Sequence, residues 1–147
     1  PEVEFQLLGY CDEDYQERLD ACEKEGIIRQ LGFEPQVHEH LKRASALVLP
    51  TWHEGMSNLV MEASATGRPV IATDISGCRE IFEEGVTGFG CQPKDGKSLV
   101  EALKKFLNLS REERARMGQK ARAKMEREFD RNKVVETYYQ EIKARTG

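Results

Sequence analysis

Two short apolar runs, Ala46-Leu-Val-Leu49 and Pro69-Val-Ile-Ala-Thr73, constrain this chain more than any other feature. Neither alternates polar with apolar residues, which is the pattern of strands covered on both faces. Between them Met56, Leu59, Val60 and Ala63 recur at helical spacing. Ser57 and Asn58 favour a helix start, and Gly55 lets the backbone turn ahead of it. Gly67 and Pro69 close the helix in the usual order. Strand, helix and strand in this sequence make a βαβ unit, and hence a parallel sheet.

The flanking chain extends that pattern. Val3-Glu-Phe-Gln-Leu-Leu8 reads as a strand, Glu13–Lys24 as a polar helix with Tyr15, Leu19 and Cys22 inward, and Ile27–Leu31 as a second strand. A short helix over Val37–Ala44 packs through Val37, Leu41 and Ala44. Cys78–Phe82 reads as a helical turn and Thr87–Cys91 as a short strand. The rest is helical. Ser98-Leu-Val-Glu101 and Ser110-Arg-Glu-Glu113 both have capping-box form, and Asp130 or Asn132 caps a last helix bearing Val134, Val135, Tyr138, Tyr139 and Ile142. The expected fold is a single α/β domain, a mostly parallel sheet with helices on both faces and a C-terminal helical tail. Ligands of such sheets bind at the carboxyl ends of the strands, where Gly32–Pro35, Trp52–Asn58 and Asp74–Gly77 are expected to share one edge.

Composition narrows the function. Of the 147 residues, 39% are hydrophobic and 33% charged, with the surplus charge in the last third, so the core is expected from roughly the first hundred residues. A net charge of -4 and a pI near 5.5 argue against general nucleic-acid binding. Cys11, Cys22, Cys78 and Cys91 are dispersed, as expected for reduced thiols in a cytoplasmic protein rather than a disulfide framework. No apolar run reaches the roughly 18 residues of a membrane span, so membrane contact is expected to be peripheral at most. The chain opens on Pro1 without a Met and enters a strand within a few residues, as an excerpt from a longer chain would.

The chemistry concentrates between Pro50 and Glu62. A helix N-terminus presents unpaired amides and about half a positive charge, which suits a phosphate. Glu54 precedes the helix and Glu62 lies in its second turn, and carboxylates accept hydrogen bonds from paired hydroxyls. Pro50-Thr51, Glu54-Gly55, Asn58 and Glu62-Ala63-Ser64-Ala65-Thr66-Gly67-Arg68-Pro69-Val70 follow in order, then Thr73-Asp74, Gly77, Glu80 and Gly85-x-x-Gly88. This stretch resembles the C-terminal, donor-binding domain of retaining glycosyltransferases of the two-Rossmann-domain (GT-B) type, close to family 4, the glycosyl transferases of group 1. A lone pair of glutamates at this spacing would be weak; the full run is specific.

The resemblance implies a Rossmann-like nucleotide-sugar-binding domain over residues 1–109, without the family's first strand, completed by the helices of residues 110–147. It implies that Glu54 contacts the transferred sugar near the reacting carbon and that Glu62 accepts from the ribose hydroxyls. The amides of Met56, Ser57, Asn58 and Leu59, after the turn at Gly55, would hold the diphosphate and sugar, and Gly32 and Phe33, near Pro35, would border the nucleobase. The substrate would be a nucleoside diphosphate sugar (UDP or GDP), with no cofactor and no metal, since no Asp-x-Asp is present to hold one. The reaction implied is transfer to an acceptor hydroxyl with retention, in polysaccharide or glycoconjugate synthesis. The partner implied is an N-terminal acceptor-binding domain. The family's Arg and Lys that neutralise the diphosphate have no counterpart here, so this chain alone is expected to be inactive. The last helix, which in the family reaches back to that domain, is expected to be exposed or to pair in a homo-oligomer.

Other features weigh less. His38-Glu-His40 reads as solvated rather than metal-binding, His53 equally as ligand contact or ordinary loop, and Trp52 as a wall of the site or, in preference, as core packing. Nothing near Cys78 suggests an activated thiolate, and the Lys/Arg-rich run from Arg111 to Lys133 is interspersed with Glu, as in a solvated helix face. The competing readings are a sugar-nucleotide epimerase of the same architecture and a non-catalytic nucleotide-binding or docking module. A dehydrogenase is excluded, because no Gly-x-Gly-x-x-Gly follows any strand.

Overall fold

Parallel pairing, which the apolar runs demand, is found at every strand pair. The structure, a computed structural model, describes residues 3–11 and 14–146, so the expected helix start at Glu13 lies outside the described residues. The chain divides into two compact units, Pro1–Glu39 and His40–Gly147, with the boundary inside one short helix.

The first unit holds β1 (Phe5–Leu8), α1 (Gln16–Lys24), β2 (Ile28–Gly32) and the start of α2 (Val37–Arg43). β1 runs parallel to β2, with Phe5 opposite Ile28 and a register shift before Leu8 meets Gly32. Polar side chains fasten α1 to β2. Glu23 accepts from the Gln30 amide at 2.8 Å and from the Gln30 side chain at 3.0 Å, and Asp20 accepts from Gln16 and Gln30. No described residue of this unit is buried. Tyr15, expected inward, is more than half exposed just before the helix begins, because α1 carries too few apolar residues to form a buried stripe.

The second unit contains β3 (Leu47–Leu49), α3 (Asn58–Ala65), β4 (Val70–Thr73), β5 (Gly88–Cys91), α4 (Gly96–Leu107), α5 (Arg111–Glu128) and α6 (Arg131–Thr146). The sheet order is β3-β4-β5, with Leu47 opposite Val70 and Val70 opposite Gly88. β4, in the middle, is buried along its whole length. Ile71, Phe89, Cys91, Ala102, Phe106 and Met117 form a core cluster, with Val48, Leu99, Leu103 and Leu107 packed against it. Burying a large apolar side chain of this kind contributes about 1.5–3 kcal/mol.

The core therefore draws on α4 and α5, beyond the first hundred residues expected to supply it. The reason is that α5 confines its charge. Met117, Ala121 and Met125 are buried, and Lys124 among them is buried too, its ammonium held by Glu128 at 2.7 Å and Glu83 at 3.1 Å. Burial works against that charge, but the two carboxylates more than offset it and raise the Lys124 pKa. α5 crosses close to the end of α3, where a Cβ on Gly118 would stand 2.1 Å from the Gly67 carbonyl oxygen.

Caps fix the helix ends, with one displacement from expectation. Asp95, not Ser98, caps α4, accepting from the amides of Lys97 and Ser98, so the helix starts earlier and the Ser98 hydroxyl accepts from the Gln92 amide instead. Ser110 and Glu113 form the reciprocal box expected for α5. Asp130 serves α6, accepting from the Asn132 amide at 2.9 Å, and Asn132 lies inside the helix. Cys78–Phe82 forms the single turn expected of it, the amides of Ile81 and Phe82 both donating to the Cys78 carbonyl. At the β5 edge, Glu84 accepts from the Gly90 amide at 2.6 Å and pairs with Lys105. Val134, Val135, Tyr138, Tyr139 and Ile142 on α6 are all exposed. Among the described residues no helix is long and apolar enough to cross a membrane, and Cys22, Cys78 and Cys91 are free thiols.

Candidate functional site

β3 ends at Leu49 and α3 begins at Asn58, so the residues between them form a loop at the carboxyl end of the sheet. Ser57, only 2% exposed, is the N-cap of α3, and its hydroxyl accepts from the Val60 amide. Its own amide donates to the Gly77 carbonyl at 2.9 Å. The loops after β3 and β4 thus meet, as the strand order predicts.

They meet backbone to backbone. Gly77 has φ +89°, and a Cβ there would lie 2.0 Å from the Gly55 carbonyl oxygen and 2.9 Å from that of Glu54. Only glycine fits. The turn at Gly77 is held by Glu80, which accepts from the Gly77 amide at 2.8 Å and from the Ser76 hydroxyl at 3.4 Å. Its own amide and that of Gly77 hold the Glu80 carboxyl below its usual range. Asp74 and Arg79 close the other end of this loop with an ion pair at 2.6 Å.

The expected site residues fall into two groups. In the second unit, Glu54 is half-buried, Gly55, Met56, Asn58 and Glu62 are exposed, and Leu59 lies between. Asn58 and Glu62 stand one turn apart on the outer face of α3, opposite buried Val60, Ala63 and Ser64. The amides of Met56, Asn58 and Leu59 find no acceptor among the described residues, whereas that of Ser57 is already used by Gly77. Burial first, then the Glu54 and Glu80 carboxylates, push the Cys78 thiol up, which disfavours its thiolate.

In the first unit, Gly32 closes β2 and accepts from the Gly9 amide at 2.8 Å. Phe33 stacks on Tyr10, their rings 5.7 Å apart and within 8° of parallel. Trp52 corrects its expectation of packing: it is 69% exposed, with the Lys94 ammonium 4.8 Å from its ring centroid. His53 is exposed, and His38 pairs with Glu39. Among the described residues no three His, Cys, Asp or Glu side chains gather to hold a metal ion.

Glu80 and the Gly77 carbonyl are the parts that sequence reasoning matched to a pattern without assigning a role. The signal was present in the spacing: a glycine followed three residues later by a glutamate is the arrangement in which a side chain reaches back to a turn amide.

Residues 1–124 match the family described as Glycosyl transferases group 1. The chain belongs to that family. This group 1 glycosyl transferase sequence is 30% identical over 119 residues to the glycogen synthase of Mycobacterium tuberculosis, covering 76% of this chain and 28% of that protein. It is 30% identical over 141 residues to the amylovoran biosynthesis glycosyltransferase AmsK of Erwinia amylovora, covering 88% of this chain and 34% of that protein. Its fold is similar to that of Anabaena HepE, solved in complex with UDP, with a TM-score of 0.86 at 21% identity over 98% of this chain and 42% of that one. The Rossmann-like α/β reading of the sequence holds. The chain spans about a third of the length of these curated relatives.

Proposed function

We propose that this chain is the C-terminal, donor-binding part of a retaining glycosyltransferase that moves a sugar from a nucleoside diphosphate sugar to an acceptor hydroxyl. The observation that carries it is the open start of α3, flanked by Glu54 and Glu62 and seated on Gly77, within the family match. The amides of Met56, Asn58 and Leu59 receive the diphosphate, where the helix dipole stabilises the charge that leaves with it. Glu54 lies at the transferred sugar and Glu62 accepts from the ribose hydroxyls. In transfer the sugar–phosphate C–O bond breaks, the acceptor oxygen bonds on the same face of the anomeric carbon, and the acceptor proton is released.

UDP is the first choice of nucleotide because the similar HepE structure carries it, and GDP the second. No metal or cofactor is required. Synthesis of a polysaccharide or glycoconjugate in the cytoplasm fits relatives named for glycogen and amylovoran. An N-terminal domain supplies the acceptor site, a first strand and Gly-rich loop ahead of β1 supply the Arg and Lys for turnover, and α6 packs on that domain or on a second copy.

Calorimetry with UDP and GDP tests the reading. UDP is expected to bind this chain, and Glu62→Ala to weaken it about tenfold to a hundredfold, the loss of hydrogen bonds to a charged acceptor. Affinity unchanged by Glu62→Ala would favour a docking module instead, and sugar transfer by this chain alone would remove the need for the Arg and Lys of the preceding strand and loop.

A further inference from the structure

We infer that Glu80 is a positioning residue for the donor site, setting the backbone of the α3 start through Gly77. The inference rests on the donor-binding reading above and adds a residue that acts through the backbone of Gly77. Its chain of contacts is short. Glu80 accepts from the Gly77 amide at 2.8 Å and the Ser76 hydroxyl at 3.4 Å; the Gly77 carbonyl accepts from the Ser57 amide at 2.9 Å. Ser57 is the N-cap that fixes where α3 begins.

Three features make this more than a local turn. First, Gly77 and Gly55 touch through backbone atoms alone, so no side chain can relax to absorb a shift of the loop. Any movement of Gly77 is passed to Gly55 and Glu54. Second, Ser57 and Gly77 are buried while Glu80 is exposed, so the clamp is operated from the surface and is not itself core. Third, Ser57 spends its amide on Gly77 rather than on a ligand, which turns the neighbouring amides of Met56, Asn58 and Leu59 into a fixed set. A fixed set of donors binds an anion without first paying the entropy of ordering a loop.

The test follows UDP binding by calorimetry and amide exchange by NMR on the whole chain, for the unaltered sequence, Glu80→Ala and Glu80→Gln. Glutamine keeps an oxygen that accepts from the Gly77 amide. Glu80→Ala is expected to speed exchange of the Ser57 amide and to weaken UDP about tenfold to a hundredfold, the scale at which misplacement of a bound group is felt. Glu80→Gln is expected to restore most of both, and exchange at Ile71 in β4 to stay as it was in all three, which a general loss of structure would not leave untouched. If the unaltered chain binds UDP and Glu80→Ala binds it equally well, or keeps its Ser57 amide protected, the inference falls and the donor-binding reading stands. If the unaltered chain binds no UDP, that reading falls and takes the inference with it.

Discussion

Gly77 has two independent reasons to be glycine, a positive φ and a Cβ position already occupied by the Gly55 carbonyl. The strained φ alone costs a larger residue about 1–3 kcal/mol, and the overlap adds to it. Gly77→Ala is therefore expected to lower the denaturant midpoint and, in whatever fraction folds, to displace the α3 start and weaken UDP. A variant as stable as the unaltered chain would show that the two loops separate freely. The same residue shows what single positions in a sequence reveal. Gly77 was visible as part of a pattern, but its approach to Gly55 is backbone to backbone across two loops, and no side-chain chemistry advertises it. Trp52 illustrates the opposite error, a large apolar residue assumed to pack that instead lies under Lys94 at the surface.

At the scale of elements, the helix caps allow the cleanest measurement. Ser110→Ala is expected to cost about 1 kcal/mol, the ordinary worth of an N-cap serine, read as a shift in the denaturant midpoint. The reciprocal partner adds a pH dependence. The Ser110 backbone amide, then its hydroxyl, hold the Glu113 carboxyl below its usual value, so the folded state prefers it ionised. That contribution is fully present above the unfolded carboxylate value of about 4.3 and is lost as pH falls through the lower folded value. The loss below pH about 4 should be smaller in Ser110→Ala, and an identical acid profile would mean the box adds nothing.

These elements were also where sequence reasoning served best. The apolar runs of β3 and β4 point to strands of a covered sheet, which β4 meets in full and β3 in part, and the Ser110–Glu113 signature names a helix start outright. It failed at Ser98, where the same signature was overruled by Asp95 three residues earlier, because a charged acceptor ahead of Gly96 opens the helix first. It failed at Tyr15 too, since spacing reports a face but not whether anything covers it.

Across the whole molecule, the two units differ in what holds them. The second has β4 sealed between neighbours and a core reaching into α4 and α5. The first has a two-stranded sheet, a polar helix and no buried described residue. A pair of strands with so little apolar cover is marginal in water, and local opening tracks missing burial. Amide exchange is expected to be fast in β1 and β2 and slow in β4, with Ile71 among the last to exchange; equal protection in the two units would contradict this. The open start of α3 lies in the well-held unit.

The carboxylates of Glu23 and Glu84 have a bearing on how many such molecules share a solution. Each occupies a strand amide, Gln30 in β2 and Gly90 in β5, that would otherwise offer a bond to a passing strand. A neighbouring chain approaching along either margin meets an acid where it needs an acceptor-hungry amide. Those two amides are unavailable to a second copy, so pairing along either margin starts with one bond fewer.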